Sequence, residues 1–212
     1  LSSFTIPRSL LQSRMWGIIF VWAFWALIPA FAAAAPWVQA EDAGYLRLAL
    51  SADEVEGLDA QRGDLYGEYG LTDWATLTLK AETVAYPDAS DFNENGLRAT
   101  LRARVFVING FTGSAEVGAL EGSAIGGRNG CETLGGEART GLGWSGQLLD
   151  IETYMFGEVA GRFHEDCRRE RFEFGIGQRA TENIWISTQF WSERGTQNAK
   201  SDKTQTELVW RG

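Results

Sequence analysis

Histidine occurs once in the 212 residues, cysteine and methionine twice each, and proline four times. The scarcity of imidazole and sulfur leaves little for a metal centre. The densest group of ligating residues is His164, Glu165, Asp166 and Cys167, and four consecutive residues of an extended chain cannot all face one ion. Asp88, Asp91 and Glu94 lack the regular ligand spacing of a dedicated calcium loop and read as solvated charge. No metal and no cofactor is therefore expected. Positive charge is also in deficit, 19 Lys and Arg against 28 Asp and Glu. A formal net charge of −9 gives no electrostatic reason to bind nucleic acid. Apolar residues make up an ordinary 44%, which excludes a polytopic helical membrane protein.

One long apolar run is present. Residues 16–35 (WGIIFVWAFWALIPAFAAAA) carry no charge and follow Arg8 and Arg14. A basic flank, an apolar stretch and a small-residue end are the three parts of a secretory signal peptide. Residues 1–35 are expected to be such a segment, with 1–14 a possible extension upstream of Met15, and 36–212 the folded domain. A cut after Ala32 would use Ala30 and Ala32, and a cut after Ala40 would use Val38 and Ala40. The first region is favoured over the second and over a retained membrane anchor. Loss of residues 1–35 takes the formal net charge from −9 to −11.

Glycine is abundant, at 25 residues, which favours strands, turns and close backbone contacts over helices. Beyond residue 35 period-two alternation recurs, broken by clusters of Gly, Asn, Asp and Thr. In Leu97-Arg98-Ala99-Thr100-Leu101-Arg102-Ala103-Arg104-Val105 every odd position is apolar and every even one polar or charged. Successive strand side chains point to opposite faces, so one face is greasy and the other carries three arginines. The pattern repeats around 45–51, 75–82, 171–176 and 184–190. It is less regular around 62–71, 114–122, 136–145, 152–163 and 203–210. Ten strands are expected.

Links after even-numbered strands are tight, and those after odd-numbered strands (52–61, 84–95, 123–135, 165–169 and 195–202) are mostly longer. Alternating short and long links are those of an antiparallel up-and-down transmembrane β-barrel with periplasmic turns and external loops. Trp74, Phe111, Trp144 and Trp185 sit by the short turns, as an aromatic girdle would, with Tyr86, Phe92, Phe163 and Trp191 near the other rim. The stretch Tyr66-Gly67-Glu68-Tyr69-Gly70-Leu71-Thr72-Asp73-Trp74-Ala75-Thr76-Leu77 resembles the second hairpin of porin-like or uncharacterised Gram-negative outer-membrane barrels. Trp37-Val38-Gln39, then Gly44 to Ser51, is similar to the first strand of such proteins. The ending Glu207-Leu208-Val209-Trp210-Arg211-Gly212 departs from the usual terminal aromatic residue, which leaves ten and twelve strands open for the whole protein. The resemblance implies the bacterial outer membrane as location. Its lipid and the barrel-assembly machinery are the implied partners, and a monomer the default.

Alternation directs Arg47, Glu68, Lys80, Glu82, Arg98, Arg102, Arg104, Glu137, Arg139, Glu158, Arg162, Arg171 and Glu173 into the barrel's lumen. They make either a polar conduit or a filled interior of mutually neutralising charges. A ten-stranded barrel favours the filled interior. Cys131 and Cys167 fall in external loops on the same side and are expected to form a disulfide. The functional expectation is a porin-like or structural membrane role without a catalytic centre. A soluble lipocalin-like barrel around an apolar ligand is the rival, and it reverses the faces, with Leu97, Leu101 and Val105 inside. Third stands a lipid hydrolase using His164, although no serine lies two residues away on either side.

Overall fold

A computed structural model describes residues 36–55, 58–122, 131, 133–165, 167–196 and 200–210. The apolar segment 16–35 lies outside them. Ten strands follow one another in the chain: β1 (Gly44–Val55), β2 (Leu58–Thr72), β3 (Ala75–Ala85), β4 (Glu94–Ile108), β5 (Phe111–Gly122), β6 (Gly135–Leu148), β7 (Ile151–His164), β8 (Arg168–Arg179), β9 (Ile184–Gly195) and β10 (Lys200–Trp210). They form one antiparallel sheet in the order β1 to β10, each strand hydrogen-bonded to its sequence neighbours. A 3-10 turn stands at Ser90–Phe92, and among the described residues no helix is long and apolar enough to cross a membrane.

The turns after β2, β4 and β6 are two residues long. Asn109 and Gly110 have φ of 50° and 81°, as the two-residue turn matching strand twist requires. Leu149 and Asp150 adopt the same sign of φ, 53° and 63°, without a glycine to ease it. The opposite links are shorter than their polarity suggests. The expected loop at 52–61 is strand almost throughout, with Val55 paired to Leu58. β8 likewise begins at Arg168 and β10 at Lys200, inside segments expected to be loops. Ladder hydrogen bonds need only a partner backbone, so polar residues mark a change of surroundings rather than the end of pairing. Only the links at 86–93 and 123–134 are long.

The sheet curls, and its two faces differ completely. Leu48 and Leu50 on the convex face are 71% and 82% exposed, while Arg102 and Arg162 on the concave face are 2% and 1% exposed. Side chains two strands apart meet across the concave side: Arg102 of β4 reaches Glu68 of β2 at 2.9 Å, and Arg139 of β6 reaches Glu173 of β8 at 3.8 Å. Arg47 of β1 and Glu207 of β10 approach to 3.7 Å, although the sheet's ladders do not join these two strands.

Three sequence expectations change. Trp37-Val38-Gln39 precedes β1 and lies against the concave face instead of beginning the first strand. Trp185 also turns inward, with its ring 5.7 Å from that of Tyr154, so it does not join Trp74 on the outer surface. Tyr86 is buried with Val84 and Ala60, and Ala89 of the same link packs against them. An aromatic residue near a turn can point either way, and strand parity decides which.

Candidate functional site

The concave face is an ionic interior assembled from every strand. Glu116 of β5 sits opposite Arg102 of β4, and Arg102 Nε donates to it at 2.8 Å. The same guanidinium donates through Nη1 to Glu68 at 2.9 Å, and Glu68 also accepts from the Tyr66 hydroxyl. Thr100 donates to the other oxygen of Glu116 at 2.5 Å and shares a hydroxyl contact with Thr78.

Glu137 is the hub. Its Oε1 accepts from Arg98 Nη1 at 2.9 Å and Arg139 Nη2 at 3.0 Å, and its Oε2 from Arg162 Nε at 2.5 Å. These cations come from β4, from β6 itself and from β7. Arg139 then passes to Glu158 at 2.8 Å, and Arg162 to Glu193 at 3.2 Å, where Arg169 also donates at 2.9 Å. Arg171 pairs with Glu173 at 3.0 Å and stacks over Trp191, 5.6 Å from its centroid. On the far side Lys80 bridges Asp64 (2.8 Å) and Glu82 (2.9 Å), Arg62 joins Glu82, and Arg47 pairs with Asp64 at 3.2 Å.

Among the described residues four cross-strand pairs of the concave face place like charges directly opposite: Lys80 with Arg98, Asp64 with Glu82, Glu158 with Glu173 and Arg162 with Arg169. Such neighbours repel. Opposite charges resolve each of them: Lys80 turns to Asp64 and Glu82 and neutralises that pair while Arg98 reaches across β5 to Glu137, Arg139 lies between the two glutamates, and Arg162 and Arg169 share Glu193. Among the described residues the set of inward ion pairs holds nine cations (Arg47, Arg62, Lys80, Arg98, Arg102, Arg139, Arg162, Arg169 and Arg171). Its nine carboxylates are Asp64, Glu68, Glu82, Glu116, Glu137, Glu158, Glu173, Glu193 and Glu207. This set is therefore formally neutral, and most of its pairs are shielded from water, where partner loss is most costly.

Of the thirteen charges that alternation directs inward, twelve belong to this set. Arg104 shares their parity but is exposed, at the end with the two-residue turns, where the register shifts between Arg104 and Phe106. Sequence reasoning missed Arg62, Asp64, Glu116, Arg169, Glu193 and Glu207. The first three lie on strands whose alternation is diluted by glycines at 63, 67, 113 and 118, and Arg169 falls in what reads as a loop. Strict parity counted outward from Glu68 finds Asp64 and Arg62.

At the opposite end Cys131 and Cys167 are joined as a disulfide, their Cα atoms 5.7 Å apart. His164 stands beside it. Its Nδ1 contacts the Thr133 carbonyl at 2.7 Å, and its backbone N–H donates to Cys167 O at 2.9 Å. The ring thus ties the segment before β6 to the end of β7. A hydrolase built on His164 would need a distant serine: Ser123 lies outside the described residues, and Ser192 is on β9. Among the described residues no three His, Cys, Asp or Glu side chains gather as a metal site would need. The chain matches no protein-family model, no curated protein and no solved structure, so its own geometry carries the functional reading.

Proposed function

We propose that the chain is an outer-membrane β-barrel protein with a closed, self-neutralised lumen and a structural role in the membrane. The observation that carries this reading is the sidedness of the sheet: apolar side chains cover the convex face and ion pairs fill the concave one. Leu97 and Leu101 are 57% and 43% exposed, whereas Arg98 and Arg102 beside them are buried. Soluble monomers rarely expose continuous apolar surface of this extent. In a bilayer the same surface meets hydrocarbon, and strands whose backbones pair with neighbours can cross it. A soluble barrel around an apolar ligand needs the opposite arrangement. The balanced interior favours a filled barrel over an open conduit, as expected near ten strands.

The reading is tested by folding residues 36–212 in detergent micelles and running the product on a gel with and without boiling. The expected result is a compact β-rich species that migrates differently once boiled. Leu101→Arg, on the convex face midway along β4, should destabilise that species by about 2–4 kcal/mol, the cost of a cation at the bilayer midplane. A chain that folds to the same content of strand in plain buffer, and in which Leu101→Arg is silent, would overturn the proposal.

A further inference from the structure

Residues 36–40 precede β1 and cross the concave side of the sheet near the end with the two-residue turns. The Gln39 backbone N–H donates to Thr76 Oγ1 at 2.8 Å, and its side-chain amide donates to Glu68 at 2.5 Å. Further along, Arg102 Nη1 donates to the Trp37 carbonyl at 3.2 Å. The Trp37 ring then meets Tyr154 and Phe156 of β7 edge-on, with centroids 5.8 and 6.3 Å away. Pro36 is buried against β6. Five residues thus span from β2 and β3, past β4, to β6 and β7.

The sheet is shaped to receive them. At Gly141 and Gly143 a Cβ atom would lie 2.8 Å from Pro36, and at Gly70 it would collide with the Ala40 carbonyl. Glycine in a strand often marks where another backbone comes close, and all three of these positions face the segment. The ionic network fills the hollow towards the long links. On β3, β5 and β6 the inward positions at the turn end are small instead: Thr76, Ser114, Gly141 and Gly143. Both Gln39 and Thr76 are buried there by the segment and its surroundings.

We propose that residues 36–40 form an internal strap that is kept in the functional chain and seals the turn end of the sheet's interior. A leader is then removed before Pro36, and a cut after Ala40 is excluded because it discards the strap. Without the strap Glu68 loses an amide donor, Arg102 loses a carbonyl acceptor, and Thr76 faces an open vestibule. The strap does not depend on the membrane reading, since the contacts that define it among the described residues are with the sheet itself.

Two measurements test it. The full-length gene is expressed in an exporting bacterium, and the intact mass of the purified chain gives its first residue. A start at or before Pro36 is expected, and a start at Glu41 would overturn the proposal. Thr76→Cys is then placed in chains beginning at Pro36 and at Glu41. Each is folded, checked by circular dichroism and exposed to a charged maleimide, which the disulfide-bonded Cys131 and Cys167 do not take up. The shorter chain should label at least about ten-fold faster, because local burial no longer protects the thiol. Equal rates would overturn the proposal. Should the shorter chain not fold, Trp37→Ala with Gln39→Ala in the longer chain loosens the strap, and an unchanged labelling rate there overturns it as well. If neither chain enters micelles while the labelling difference persists, the membrane reading fails and the strap stands.

Discussion

Replacing Glu137 with alanine is expected to destabilise the fold by about 3–5 kcal/mol, the usual cost of removing one partner from a buried ion pair. The size follows from what is left behind. Arg98, Arg139 and Arg162 all donate to this carboxylate, and each lies on the buried face. Arg162 keeps Glu193 and Arg139 keeps Glu158, whereas Glu137 is the carboxylate that holds Arg98 across the hollow. Unfolding by urea, followed by the gel shift, reads the change as a lower midpoint. Glu121→Ala on the exposed face of β5 serves as the control and should move it by no more than about 0.5 kcal/mol. Glu137→Leu combined with Arg162→Leu should be less damaging than the sum of its parts, because it removes a charge of each sign together. Strict additivity would show that the two groups do not act as a pair.

Loss of the disulfide is expected to be the second large effect. Cys131 and Cys167 are 36 residues apart in sequence, and closing a loop of that length removes chain entropy worth about 3–4 kcal/mol from the unfolded state. The enclosed segment contains all of β6 and β7, which together carry Glu137, Arg139, Glu158 and Arg162. Cys131→Ser with Cys167→Ser should therefore lower the urea midpoint about as much as reduction of the unaltered chain does. The double variant should not respond to reductant at all. A reductant-sensitive midpoint in that variant would point to a different origin for the effect. His164 keeps its contact with Thr133 in either case, so the end of β7 stays tied to the segment before β6 and the loss falls on the unfolded state.

The membrane experiment bears on the same interior. A network of nine cations and nine carboxylates carries no net charge that would favour one sign of ion. The strap adds a second closure at the turn end. These features support the closed, structural role proposed for this chain over that of a wide pore.

Much of the fold was legible from the chain. Leu97 to Val105 alternates without a break and stands as the middle of β4, and all ten strands occur where alternation places them. Asn109-Gly110 suits its tight turn because glycine and asparagine tolerate positive φ. Strand ends were less legible. Polar residues at 52–61 read as loop, yet they pair, because backbone hydrogen bonding does not depend on side-chain polarity.

By itself, then, the sequence determined strand number, strand order and which residues share a face, since these follow from local spacing and short links. It did not determine which face lies inside, because a period of two is the same read from either side. Tertiary structure decided that, and with it the ion-pair partners. Arg102 meets Glu68, and Arg98 meets Glu137, only because the curl brings strands two apart within reach. The strap is the furthest from sequence: Pro36 and Gly141 are adjacent in space for want of a side chain on a strand more than a hundred residues away, and no local pattern records that absence.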